Sequence, residues 1–146
     1  MKLFTLSFFL ITSFCFAGNH AEGQQAYLKK ESDNYKTKYN CEMEWILEAS
    51  KAKMENNLEA TAFMRVFSEV EYPVRLKCQK GGFDKFNKVI FVPGSVAADY
   101  KKCTPEQNKD SAVVKQIGKT VTVTCKYVNC YCAGDTAEEA VISLLK

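Results

Sequence analysis

Six cysteines in the body of this chain constrain its fold more than any other feature. The sequence has seven, and Cys15 stands apart from the rest. It lies in MKLFTLSFFLITSFCFA, residues 1–17. There Lys2 supplies a positive start, Leu3 to Phe16 form an apolar run broken only by Thr and Ser, and Ala17 offers a small residue before Gly18. That is the layout of a secretory signal peptide cut after Ala17. The run is shorter than the ~20 apolar residues that span a bilayer, and polar GNHAEGQQ follows at once. No later stretch is apolar enough to span, so no membrane segment is expected once the signal is removed.

Cleavage takes Lys2 and Cys15 with it. It leaves Cys41, Cys78, Cys103, Cys125, Cys130 and Cys132. An even set in a secreted, extracellular chain reads as a disulfide framework of up to three bridges. Sequence does not choose among the pairings. If residues 120–132 form one strand, Cys130 and Cys132 share a face and Cys125 points away. Neighbours at i and i+2 are poorly placed to bridge each other, so those two are expected to take different, distant partners. Zinc is a weaker reading. Cys125-x4-Cys130-x-Cys132 lacks paired ligand spacing, and the one histidine, His20, lies in the polar N-terminal stretch. No metal and no cofactor are expected. No Asn-x-Ser/Thr glycosylation signal occurs.

At 146 residues, with 47% apolar and 25% charged side chains, the chain suits one globular domain with its own core. The formal charge of +3 falls to +2 without Lys2. That small surplus, with acids interspersed among Lys29, Lys30, Lys77, Lys80, Lys101 and Lys102, argues against a nucleic-acid partner.

Periodicity divides the remainder. Residues 18–34 read as a polar leader, and residues 35–146 as a single α+β domain. Tyr35, Tyr39, Met43, Ile46, Leu47, Ser50 and Met54 recur at steps of three and four, which predicts a helix ending near Asn56. Leu58, Ala62, Phe63, Val66, Phe67 and Val70 predict a second helix, capped by Asn57 and stopped before Pro73. Val74, Leu76 and Cys78 alternate with Arg75 and Lys77 as in a strand. Phe83, Phe86, Val89 and Ile90 suggest a short third helix cut off by Pro93-Gly94. Further strands are expected over 95–103, 112–117 and 120–131, with a turn at Gly118-Lys119. Residues 104–109 read as a loop. Gly134-Asp135 reads as a turn, and residues 138–145 as a last strand, with helix as the alternative. Helices first and mainly antiparallel strands later describe an α+β fold with helices on one face of a sheet.

The stretch EWILEASKAKMENNLEATAFMRVFSEVEYPVRLKCQKGGFDKFNKV, from Glu44 to Val89, resembles the opening of the nuclear transport factor two-like fold. A long helix leads through a polar break to Leu-Glu-Ala and a second helix ending in a Phe-Ser corner, followed by a strand, a Gly turn and a short helix. The segment KQIGKTVTVTCKYVNCYCAGDTAEEAVISLLK could supply the paired long strands. The resemblance is to small secreted members of that superfamily, in which N-terminal helices pack on a curved antiparallel sheet to make a cone. The cystatin fold also wraps a sheet around a helix, but its Gln-x-Val-x-Gly protease-binding loop is missing, since Gln116-Ile117-Gly118 lacks the spacing.

The resemblance implies a small apolar ligand in the cone, or an extracellular protein as partner. Phe63, Phe67, Phe83 and Phe86 are the candidate lining, against the plainer reading that they fill the core together with Phe91. Enzymes of the superfamily place an Asp or His in the pocket as general base. Here His20 precedes the fold, and Asp84, Asp99, Asp110 and Asp135 sit in turn-like contexts. No catalytic residue is assigned. Binding is the favoured reading, ahead of an isomerase- or dehydratase-like enzyme and of a protease inhibitor.

Overall fold

The computed structural model describes residues 20–48, 57–97, 99, 103–128 and 130–146. The signal-peptide reading of residues 1–17, and the helix expected across Ser50 and Met54 to Asn56, lie outside them. The architecture is α+β, and the described residues form four helices, a four-stranded sheet and three disulfides. The element order is α1 (His20–Tyr39), β1 (Glu44–Leu47), α2 (Asn57–Gln79), β2 (Lys88–Val92), α3 (Pro105–Lys109), β3 (Ala112–Ile117), β4 (Thr120–Cys125) and α4 (Gly134–Leu144).

The sheet runs β1-β2-β4-β3. It is mixed, where a mainly antiparallel sheet was expected. β1 pairs parallel with β2, β2 parallel with β4, and only the β3–β4 hairpin is antiparallel. The parallel pair β1–β2 needs a crossover, and α2 supplies it. Gly118, with φ 58°, makes the tight turn between Ile117 and Thr120. After β2, Gly94 passes so close to the backbone of residues 125–126 that any Cβ there would collide with the Lys126 carbonyl.

Burial alternates along β1, β2 and β4. Trp45, Val89 and Val121 are register partners on the core face, as are Leu47, Phe91 and Val123. The opposite face carries the Glu44–Lys88 ion pair at 2.7 Å, half-buried Ile46 and Ile90, and the threonines of β4. Onto the core face α2 lays Phe63, Val66, Phe67, Val70, Val74 and Cys78, all buried at steps of three and four. Its aromatics interlock with those of the sheet. Trp45 meets Phe67 edge-on at 5.2 Å and Phe63 meets Phe91 at 5.4 Å.

Several elements correct the sequence reading. Residues 20–34, expected to be a polar leader, are the first three-quarters of α1. The helix expected from Tyr35 through Leu47 instead ends at Tyr39, where Asn40 takes φ 48° and the Cys41 N–H donates to the Tyr35 carbonyl. Beyond it Cys41, Met43, Trp45 and Leu47 are all buried in strict alternation. Helix α2 does not stop before Pro73 but continues to Gln79, so residues 74–78 are helical. An internal proline costs roughly 3 kcal/mol; here the apolar stripe runs on through buried Val74 and Cys78, and Cys78 is bridged to Cys41. Val89 and Ile90 lie in β2 and not in a helix. Of the strand expected over 95–103, the described residues show one bridge, Val96 with Tyr127. The polar loop over 104–109 contains α3, capped by Thr104 in a capping box with Gln107. Strand β4 ends at Cys125, and residues 134–144 are helix, the alternative to the preferred strand.

The disulfides are Cys41–Cys78, Cys103–Cys132 and Cys125–Cys130. Cys130 and Cys132 do take different partners. The partner of Cys130 is close in sequence and not distant, because the chain leaves the strand after Cys125 and turns back through Cys130 at φ 59°.

Helix α1 covers the outer edge of β1. The Trp45 N–H donates to Ser32 Oγ at 2.9 Å and the Leu47 N–H to Gln25 Oε1 at 2.7 Å. These two edge donors would otherwise lack ladder partners. Removing both acceptors by Gln25→Ala and Ser32→Ala is expected to cost about 1–3 kcal/mol each, the penalty of orphaning a partly buried N–H. Urea midpoints of the single and double variants check this, and unchanged midpoints would contradict it. Loop-closure entropy orders the disulfides as well. Replacing Cys41 and Cys78 with Ala should cost about 4 kcal/mol, and replacing Cys125 and Cys130 about 2 kcal/mol, since the closed loops differ greatly in length. The same denaturation measurement tests that ranking.

Candidate functional site

The four phenylalanines singled out from sequence fall into two groups. Phe63 and Phe67 are buried in the aromatic core with Trp45 and Phe91. Phe83 and Phe86 pair edge-on at 5.1 Å elsewhere, next to Cys41–Cys78. Phe86 is buried and Phe83 half-buried. They line an open depression of about 420 Å3 whose other walls include Asn40, Asp84, Asn87 and Lys119. The Lys119 ammonium donates to the Asp84 carbonyl across it.

A polar network joins α1 to α2. The Tyr35 hydroxyl donates to Glu71 Oε1 at 2.6 Å, and Glu71 also meets Arg75 Nε at 3.4 Å. Both Tyr35 and Glu71 are buried. Burial, and next the hydrogen bond to the Glu71 carboxylate, push the Tyr35 phenol far above its ordinary value. This carboxylate is engaged on both sides, which suits a clasp between helices better than a proton-transfer group.

An opening with mainly apolar walls lies between α2 and α4. These helices run in the same direction, as Arg65 faces Asp135 at 3.6 Å and Gly134 packs against Glu69. Further along, Tyr72, Pro73 and Leu76 from α2 face Ile142 and Leu145 from the α4 end, and Lys77, Lys80, Glu138 and Lys146 complete the walls. The volume is about 310 Å3, at the lower end of ligand-pocket sizes. Tyr72 is 51% exposed, Leu76 41% and Ile142 38%. Arg75 sits 5.5 Å from the Tyr72 ring centre. Glu138 is raised above the usual carboxylate range by partial burial first, then by the neighbouring Glu69 charge and a hydrogen bond with that side chain. Sequence reading missed this groove because it treated residues 74–78 and 138–145 as strands. At helical spacing Tyr72, Leu76 and Lys80 fall on one stripe, and so do Glu138, Ile142 and Lys146.

A second pocket of about 280 Å3 surrounds the Cys103–Cys132 bridge and is walled by Arg65, Asn108, Tyr131 and Asp135. Its lining is more polar, and Arg65 already pairs with Asp135. Among the described residues no group of His, Cys, Asp or Glu is placed to hold a metal ion, and no helix is long and apolar enough to cross a membrane. No protein-family model, no curated protein and no solved structure matches the chain.

The Tyr35 phenol carries a pH signature. Its proton is held in the folded chain, while an unfolded tyrosine loses its proton near pH ~10. Stability from this group is therefore complete below about pH 10 and declines as the pH rises beyond it. The urea midpoint of the native protein should fall more between about pH 8 and about pH 10.5 than that of Tyr35→Phe. Equal declines would show that the hydroxyl is not held in this way.

Proposed function

We propose that this is an extracellular, disulfide-stabilised binding protein, and that the groove between α2 and α4 receives the apolar part of a small ligand. The observation that carries the reading is the gathering of three large exposed apolar side chains, Tyr72, Leu76 and Ile142, across two adjacent helices in one concave opening. Apolar surface collected in a concavity marks a binding site far more often than the same residues scattered. The signal-like leader and three disulfides support an oxidising, extracellular setting. The engagement of Glu71 by Tyr35 and Arg75 favours binding over acid–base chemistry.

One observation favours a protein partner at the same place. Tyr72 on the rim carries a cation over its ring, and Tyr and Arg are the residue types that dominate protein interfaces. Helices laid on one face of a sheet agree in outline with the nuclear transport factor two-like reading. The parallel pairs β1–β2 and β2–β4 do not match the antiparallel cone that reading implies. The binding proposal does not depend on the cone.

The test uses Nile red, an uncharged apolar dye. The purified protein with its disulfides formed should bind it saturably. Leu76→Glu and Ile142→Glu should each weaken binding at least ~10-fold, as expected when a charge must be desolvated at an apolar contact, while thermal midpoints stay close to the native value. Dye binding that ignores both substitutions, or no saturable binding at all, would overturn the proposal.

A further inference from the structure

We infer that the α2–α4 groove is selective for single-chain amphiphiles with an anionic head, a carboxylate or a phosphate monoester. The inference rests on the groove being a binding site and adds the chemistry of its ligand.

The argument comes from how charge is laid out along the groove. Because α2 and α4 run in the same direction, their C-terminal ends lie at the same end of the opening. Lys77 occupies the last turn of α2, Lys80 lies just beyond it, and Lys146 lies just beyond α4. Among the described residues none of the three ammonium groups is in a salt bridge. Glu138, the acidic side chain among the described lining residues, enters α4 one turn after Gly134 and so lies toward the opposite end, where its carboxyl hydrogen-bonds to Glu69. Between the two ends the walls are Pro73, Leu76, Ile142 and Leu145.

The layout is therefore an apolar trough with cations at one end that no described residue pairs in a salt bridge. A neutral apolar molecule satisfies the trough and leaves the cations solvated. A cationic amphiphile meets three like charges. An anionic amphiphile places its chain along Leu76 and Ile142 and its head among Lys77, Lys80 and Lys146. The volume of about 310 Å3 is small for a two-chain lipid and suits part of one chain. Three exposed pairings at a few tenths of a kcal/mol each together amount to about tenfold in affinity at low salt, and less as salt rises.

The experiment displaces Nile red with dodecanoate, dodecyl phosphate and dodecanol, which share one tail, at low ionic strength and below their aggregation thresholds. At least one anion should displace the dye at a concentration about tenfold lower than the alcohol. The tighter of the two anions identifies the head group. Lys77→Gln, Lys80→Gln and Lys146→Gln in combination should erase the difference between anion and alcohol, the loss falling on the anions. Equal displacement by alcohol and both anions, or a preference that survives the triple substitution, would overturn the inference and leave the groove as a site for neutral ligands. Failure of both dye and alcohol to bind would remove the groove reading itself. Light scattering reports the competing occupant, since a dimer that hides the groove, with dye binding lost as protein concentration rises, would also overturn the inference.

Discussion

The fold depends on helix α1 closing the edge of the sheet at β1. A parallel strand at a sheet edge leaves every second N–H facing outward, and in β1 those belong to Trp45 and Leu47. Both side chains of these residues are core, so water cannot easily serve the donors beside them. Ser32 and Gln25, two helical turns apart on one face of α1, supply the acceptors. Ala21, Leu28 and Tyr35 on the same face pack against the core around them. Helix α1 thus acts as a side-chain ladder partner as well as a packing element. It also removes the unpaired edge that would otherwise invite a second chain.

Two further constraints keep α1 in place. The Tyr35 hydroxyl reaches the Glu71 carboxylate on α2, and Cys41, two residues beyond the helix, is bonded to Cys78 at the far end of α2. One is directional and short, and the other limits the unfolded chain. Between them they fix the segment from α1 to β1 against the crossover helix. Trp45 can then sit at the centre of the core in edge contact with both Tyr35 and Phe67. The other two bridges act locally, around the end of β4 and the approach to α4, where Cys130 and Cys132 hold positive φ angles of 59° and 66°. Left-handed backbone at non-glycine residues persists only where the surroundings over-determine it, and here each of the two is tied by a disulfide.

This division of labour explains what was legible in the sequence. The apolar stripe of α2, the β3–β4 hairpin with its Gly118 turn and the even cysteine set were readable because each writes its pattern directly in apolar spacing, turn chemistry or count. Helix α1 was not, because two of its inward positions are Gln25 and Ser32. Their role depends on donors in β1, 13 residues beyond Ser32 and 22 beyond Gln25, and a search for apolar period sees only a polar stretch. Strand β1 was hidden for the opposite reason. Tyr39, Met43, Ile46 and Leu47 fit a helical period by coincidence, while Cys41, Met43, Trp45 and Leu47 carry the true alternation, and the break at Asn40 decides between them. Pro73 misled because its local penalty is smaller than the gain from burying Val74 and Cys78 together with the covalent tie to Cys41. Two wrong strand assignments, at 74–78 and 138–145, then concealed the groove, which exists only when both segments are helical.

The groove follows from the same topology. Strand β4 runs parallel to β2, so the helix that follows it lies alongside the crossover helix and points the same way. Parallel neighbours bring two C-terminal ends together, and two negative helix poles favour cations there. That alone gives an ordinary structural reason for lysines at this end. It gives none for the exposed Tyr72, Leu76 and Ile142, which neither pole requires and which polar residues could replace without loss to the core. Apolar side chains left facing solvent next to cations already placed by the fold form a surface with one positive end and one apolar length. The inferred ligand matches this surface with opposite charge at the head and a like apolar character along the chain.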